Sequence, residues 1–163
     1  MLVRYYVELP CRSDAVEAVL SREPRVWLPE LVRASNRRGL EVVLRVGLHL
    51  GPKRVDHSVI LTVSNPQHLG DTCMIPIAWR PASDESMLPS LEGDLEVSAL
   101  GDHSSQLAIS ASYRPPLGWA GALGDRALMR RVAEVTVKDF LDRLAVSVTA
   151  AITSPNPVRV AAG

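Results

Sequence analysis

The sequence predicts an α+β fold in which an antiparallel sheet is closed by one long C-terminal helix. Three observations carry this. The chain opens on an alternating segment, with Val3, Tyr5, Val7 and Leu9 on one side and Arg4, Tyr6 and Glu8 on the other, the period-two signature of a half-buried strand. From Leu40 to Tyr113 that alternation recurs in strand-length segments separated by Gly, Pro, Asn and Asp, as hairpins do. After a Pro- and Gly-rich link, the residues from Asp125 to Ile152 contain no helix breaker, enough for roughly 40 Å of helix at 1.5 Å per residue.

In order along the chain, Pro10 ends the first strand. Ser13 and Asp14 then offer capping oxygens, and Glu17 suits a first turn. Val16, Val19 and Leu20 fall at helical spacing, which predicts a short helix. A second short helix is expected from Pro29 to Asn36, with Pro at its start and Gly39 just beyond its end. Leu40, Val42, Leu44, Val46, Leu48 and Leu50 then share one face of a strand, and Gly51, Pro52 and Lys53 make a turn into a strand reaching about Ser64. Pairing Leu50 with Val55 keeps apolar residues opposite apolar ones, whereas a one-residue slip would bury the polar set. A third segment, Asp71 to Arg80, turns Cys73, Ile75, Ile77 and Trp79 to one face, and Pro76 within it implies an edge or a bulge. Two further strands place Leu91, Gly93, Leu95, Val97 and Ala99, then Leu107, Ile109, Ala111 and Tyr113, inward. On the final helix Arg130, Glu134, Lys138 and Asp142 form an alternating i,i+4 ladder that marks the solvated face. Met129, Val132, Ala133, Thr136, Phe140 and Leu144 lie opposite and are expected to pack on the sheet.

Composition excludes several function classes. Of the 163 residues 47% are apolar and 22% charged, an ordinary globular mix. Lys plus Arg and Asp plus Glu both number 18, so no net field draws polyanions, and nucleic acid is not expected as a partner. Cys11 and Cys73 form no CxxC and follow no signal-peptide pattern, which favours free thiols in a cytoplasmic protein. No apolar run reaches the roughly 18 residues of a membrane span. His49, His57, His68 and His103 form no HExxH or HxH and share no zinc spacing with the cysteines, so neither a metal nor a cofactor is expected. A Gly-x-Ser-x-Gly elbow, a Walker loop and a Rossmann fingerprint are all lacking.

The order strand, two short helices, antiparallel strands and long final helix resembles the SRPBCC superfamily, also called START or Bet v 1-like, whose polyketide cyclase/dehydrase-like members share the helix-grip fold. The segment YRPPLGWAGALGDRALMRRVAEVTVKDFLDRL, Tyr113 to Leu144, looks like the last strand, connection and helix of actinobacterial members. The resemblance spans about Leu2 to Ile152, which makes residues 1–152 one domain and 153–163, with Pro155 and Pro157, an expected disordered tail.

It implies a curved sheet around the last helix and an apolar cavity between them. The inward positions expected to line that cavity are Leu44, Val46, His57, Val59, Ile77, Trp79, Leu95, Val97, Ile109 and Tyr113 on the strands, with Met129, Val132, Thr136 and Phe140 on the helix. Asp139 and Arg143, an i,i+4 pair at the border of the helix's inward arc, are the polar rim. The leading expectation is non-catalytic binding of a small lipophilic molecule such as a lipid, quinone or polyketide. The alternative is a polyketide cyclase/aromatase-type enzyme with His57, on the apolar face by parity, as general base. Against it stands the plain reading of His57 as a hydrogen-bonded core residue. A protein-interaction or toxin-like role is the third class, because the fold alone does not select a function.

Overall fold

The computed structural model describes residues 2–22, 24–28, 31–35, 40–50, 53–82, 89–114 and 126–154, with backbone alone at 25, 31–35, 40–50, 53–57 and 126–129. In chain order its elements are β1 (Leu2–Leu9), α1 (Ser13–Leu20), a one-turn 3-10 segment (Pro24–Val26), β2 (Leu31–Ser35), β3 (Leu40–Leu50), β4 (Lys53–Val63), β5 (Gln67–Leu69), β6 (Thr72–Pro81), β7 (Ser90–Gly101), β8 (Ser104–Arg114) and α2 (Arg126–Thr153). All pairings are antiparallel, and the sheet runs β1-β8-β7-β6-β4-β3-β2, with β5 alongside β6. The α+β class and the meander are therefore as the patterning predicts. Among the described residues no helix is long and apolar enough to cross a membrane.

Helix α2 packs on both β1 and β3, which stand near opposite ends of the sheet order. A flat sheet cannot touch one helix with both ends, so the sheet curls around α2. The arc Val132, Ala133, Thr136, Val137, Phe140, Leu141, Leu144 and Val148 is buried. Each fully buried Leu, Val or Phe side chain there contributes about 1.5–3 kcal/mol. The opposite face carries the expected ladder, with Arg130–Glu134 at 2.7 Å and Lys138–Asp142 at 2.6 Å. Helix α1 buries Val16, Val19 and Leu20 and packs on α2, β7 and β8.

Three expectations change. Within the helix expected over Pro29–Asn36, Leu31–Ser35 is instead strand β2, paired with β3 from Leu31↔Leu44 to Ser35↔Glu41 across a bulge, and among the described residues the second helical element before it is the turn at Pro24–Val26. A helix of two turns is marginal by itself, whereas β2 satisfies the backbone edge of the eleven-residue strand β3. The β3–β4 register is Leu50↔Lys53, Leu44↔Val59 and Val46↔His57, two residues from the expected pairing. A two-residue shift leaves every residue on its face, so polarity could not choose between the two, and the tighter two-residue connection prevails. Pro76 lies in an internal strand, opposite Asp94 of β7. On its other side, pairing with β4 ends at Ile77 and pairing with β5 begins at Met74. The Pro76 carbonyl accepts from the Ser64 N–H at 2.9 Å, so its ring nitrogen faces the gap between β4 and β5, where no donor is needed.

Candidate functional site

The candidate site is the space between the sheet and α2. Ten of its fourteen expected positions have described side chains, and all ten are buried: Val59, Ile77, Trp79, Leu95, Val97, Ile109, Tyr113, Val132, Thr136 and Phe140. Strand alternation supplies the first seven and the helical arc the rest. Trp79 on β6 meets Phe140 on α2 edge to face, with ring centroids 5.4 Å apart at 74°, the geometry that aromatic quadrupoles favour. This contact joins α2 to β6, the middle strand of the sheet order.

The polar tips in this region are largely engaged. The Trp79 indole N–H donates to the Pro89 carbonyl at 3.2 Å, and the Thr136 hydroxyl donates to the Val132 carbonyl at 2.7 Å. Burial pushes the Tyr113 phenol above its ordinary range. Leu44, Val46, His57 and Met129 lie outside the described side chains. The backbone register sets His57 opposite Val46, at the parity of the fully buried Val59 and Leu61.

Asp139 and Arg143 form the expected pair. Arg143 Nη2 stands 2.6 Å from Asp139 Oδ2, with the two side chains 19% and 18% exposed respectively, and Arg143 Nε donates to the Asp139 carbonyl at 3.3 Å. The double attachment holds the guanidinium along the helix at the border of the buried arc.

Two features were not legible in the spacing. A cleft of about 450 Å³ lies outside the interior, between β1 and α2, where Leu2, Val3 and Val135 meet Arg4, Arg130, Arg131, Glu134 and Lys138. Beside it Lys138 donates to the Tyr5 hydroxyl at 2.9 Å and to Asp142 at 2.6 Å, while Tyr5 donates to Asp142 at 3.2 Å. The hydrogen bond to Asp142, and after it that to Tyr5, holds the Lys138 ammonium well above the usual lysine range. At another edge of the molecule Glu17, His68 and Cys73 place their donor atoms within 4.8 Å of one another. The available signal was the run His68-Leu-Gly-Asp-Thr-Cys73, which a tight turn folds into a cross-strand pair.

No protein-family model matches the chain, and no curated protein matches it in sequence. Solved structures do match it in fold. A START superfamily protein from Mycobacterium smegmatis superposes with a TM-score of 0.59 at 13% identity, over 95% of this chain and 99% of that one. The Zhui aromatase/cyclase from Streptomyces sp. R1128 gives 0.57 at 12% identity, over 97% and 99%. Norcoclaurine synthase from Thalictrum flavum, in complex with dopamine and hydroxybenzaldehyde, gives 0.59 at 10% identity, over 96% and 88%. At these identities the likeness shows the fold: the chain adopts the START/Bet v 1-like helix-grip architecture.

Proposed function

We propose that this helix-grip domain binds a small lipophilic molecule between its sheet and α2 without transforming it. The carrying observation is the composition of that space. The sheet closes on α2 through β1 and β3, and what fills the width between them is apolar and aromatic, centred on Trp79 and Phe140. A lining of this kind selects shape and apolar area, with a few polar groups left to orient one end. In this reading the Asp139–Arg143 pair, at the border of the buried arc, takes the polar head. One similar structure holds dopamine and hydroxybenzaldehyde and another is an aromatase/cyclase, so compact aromatic molecules belong among the ligands tested. Free Cys11 and buried free Cys73 fit a reducing compartment, in keeping with a cytoplasmic location.

The test is a titration of delipidated protein with a fatty acid, a quinone and an aromatic polyketide, following tryptophan fluorescence. Saturable change with at least one, diminished in Trp79→Phe, is expected. A flat response to all three, with a native mass equal to that of the bare chain, would overturn the proposal.

A second reading is favoured by the parity of His57 with Val59 and Leu61: an aromatase/cyclase-type enzyme in which His57 is the general base and Arg143 steadies developing negative charge. It requires that His57→Ala abolish turnover while ligand affinity stays intact.

A further inference from the structure

We infer that Glu17, His68 and Cys73 form a binding site for a zinc-class divalent cation that fastens α1 to the β5–β6 hairpin. The three donors come from α1, β5 and β6 and converge for structural reasons. His68 and Cys73 are direct cross-strand partners, folded together by the tight turn in which Gly70 takes φ 61°, so their side chains rise from one face. Helix α1 brings Glu17 over that face, with Glu17 Oε2 3.1 Å from His68 Nε2.

The donor set is one sulfur, one imidazole nitrogen and one carboxylate oxygen, all within 4.8 Å of one another. Sulfur and imidazole argue against calcium and magnesium, which take oxygen, and suit zinc, which accepts all three. At a tetrahedral zinc such donors stand about 3.3–3.6 Å apart. Glu17 and His68 already stand 3.1 Å apart, and closing on the sulfur falls to these two side chains, 25% and 63% exposed, while Cys73 stays anchored in the core. Three protein donors leave the fourth tetrahedral position to water on the exposed His68 side. None of its three donors is among the positions assigned to the interior between sheet and α2.

The chain, stripped with EDTA, is titrated with Co²⁺ and then Zn²⁺. One equivalent of Co²⁺ should produce a thiolate-to-cobalt charge-transfer band that Zn²⁺ abolishes, and Zn²⁺ should raise Tm. Cys73→Ser should remove the band and Cys11→Ser should keep it. Because Cys73 is a core residue, the surface variants His68→Ala and Glu17→Gln carry the same test: each should weaken Zn²⁺ by more than the roughly 10–100-fold that outer-shell changes cost. A wild-type chain without the band, a band that survives Cys73→Ser, or Zn²⁺ affinity unchanged in His68→Ala would overturn the site.

Discussion

At the scale of single residues, Gly93 shows how closely two strands can be held. It pairs with Ala111, and a Cβ built on it would lie 2.5 Å from Ala111 Cα and 2.6 Å from Ala111 Cβ, and closer still to the Ser110 carbonyl oxygen. Two of these three atoms are backbone, so a side chain has nowhere to go unless β8 moves. Gly93→Ala is expected to destabilise the fold by about 1–3 kcal/mol, the usual cost of overpacking, read from urea-unfolding midpoints. A change below about 0.5 kcal/mol would mean that β7 and β8 separate more readily than this packing implies.

Three raised groups carry the alkaline pH dependence. Burial raises the Tyr113 phenol above 10.0, the Cys11 thiol above 9.0 against a smaller opposing effect of Ser105, and, with the Glu17 charge second to it, the Cys73 thiol above 9.0. A group whose folded pKa is raised keeps more protons folded than unfolded, so its contribution is complete below the unfolded pKa and is lost as pH climbs through the folded one. Unfolding free energy should therefore hold up to about pH 8.5 and decline between about pH 9 and 11. Tyr113→Phe should flatten the upper part of that decline. A decline of unchanged slope in this variant would remove Tyr113 as its source.

Between elements, the joint of β1 with α2 is polar at its surface and apolar beneath. Val3 and Leu9 of β1 are buried, while Tyr5, Lys138 and Asp142 close a hydrogen-bonded triangle above them, with the Lys138 ammonium 4.9 Å from the Tyr5 ring centroid. Lys138 is exposed, so water and salt screen the ion pair. Tyr5→Phe should lower Tm only slightly at low ionic strength and by still less in about 1 M NaCl. A large, salt-independent loss would place the weight of the joint on the Tyr5 hydroxyl and its bonds to Lys138 and Asp142 rather than on the ring, which Phe retains.

The elements also show what patterning can and cannot convey. Face assignments were legible wherever one side is buried: β1, β6, the inner positions of β7 and β8, and the arc from Val132 to Phe140 on α2 all follow from period alone. At the end of β7 the period misleads, because Ala99 is exposed beside the register shift before Gly101. Local preference also failed at β2, where the unpaired edge of β3 outweighs a weak helical signal. The β3–β4 register was undetermined for a different reason, since faces repeat every two residues and polarity is blind to an even shift. The Glu17–His68–Cys73 cluster was hidden by distance along the chain, with Glu17 and His68 51 positions apart. In the candidate site, each expected position with a described side chain is buried. A packed core and a binding chamber both bury these positions and differ in whether a guest can enter between helix and sheet.

For the whole molecule that distinction becomes an experiment on Phe140. Its ring is fully buried and spans from α2 to Trp79 of β6, so it decides how much room lies between helix and sheet. Phe140→Ala should cost about 3–5 kcal/mol whether the interior is a core or a chamber. The two readings part when a ligand is added. A chamber that has lost a ring gains space for a bulkier guest, and a guest that binds only the folded state restores stability by about 2.7 kcal/mol at a hundred times its Kd. Thermal melts of wild type and Phe140→Ala should therefore be compared against a fatty acid, a quinone and an aromatic polyketide. The expected result is that the ligand stabilising the wild type stabilises the variant too, and that the preference moves toward the larger molecules. A ligand that stabilises both proteins with unchanged size preference is bound away from Phe140, with the β1–α2 cleft and its arginines as the next surface to probe. If none raises Tm in either protein, the space between sheet and helix is a packed core, and the binding function assigned to it falls.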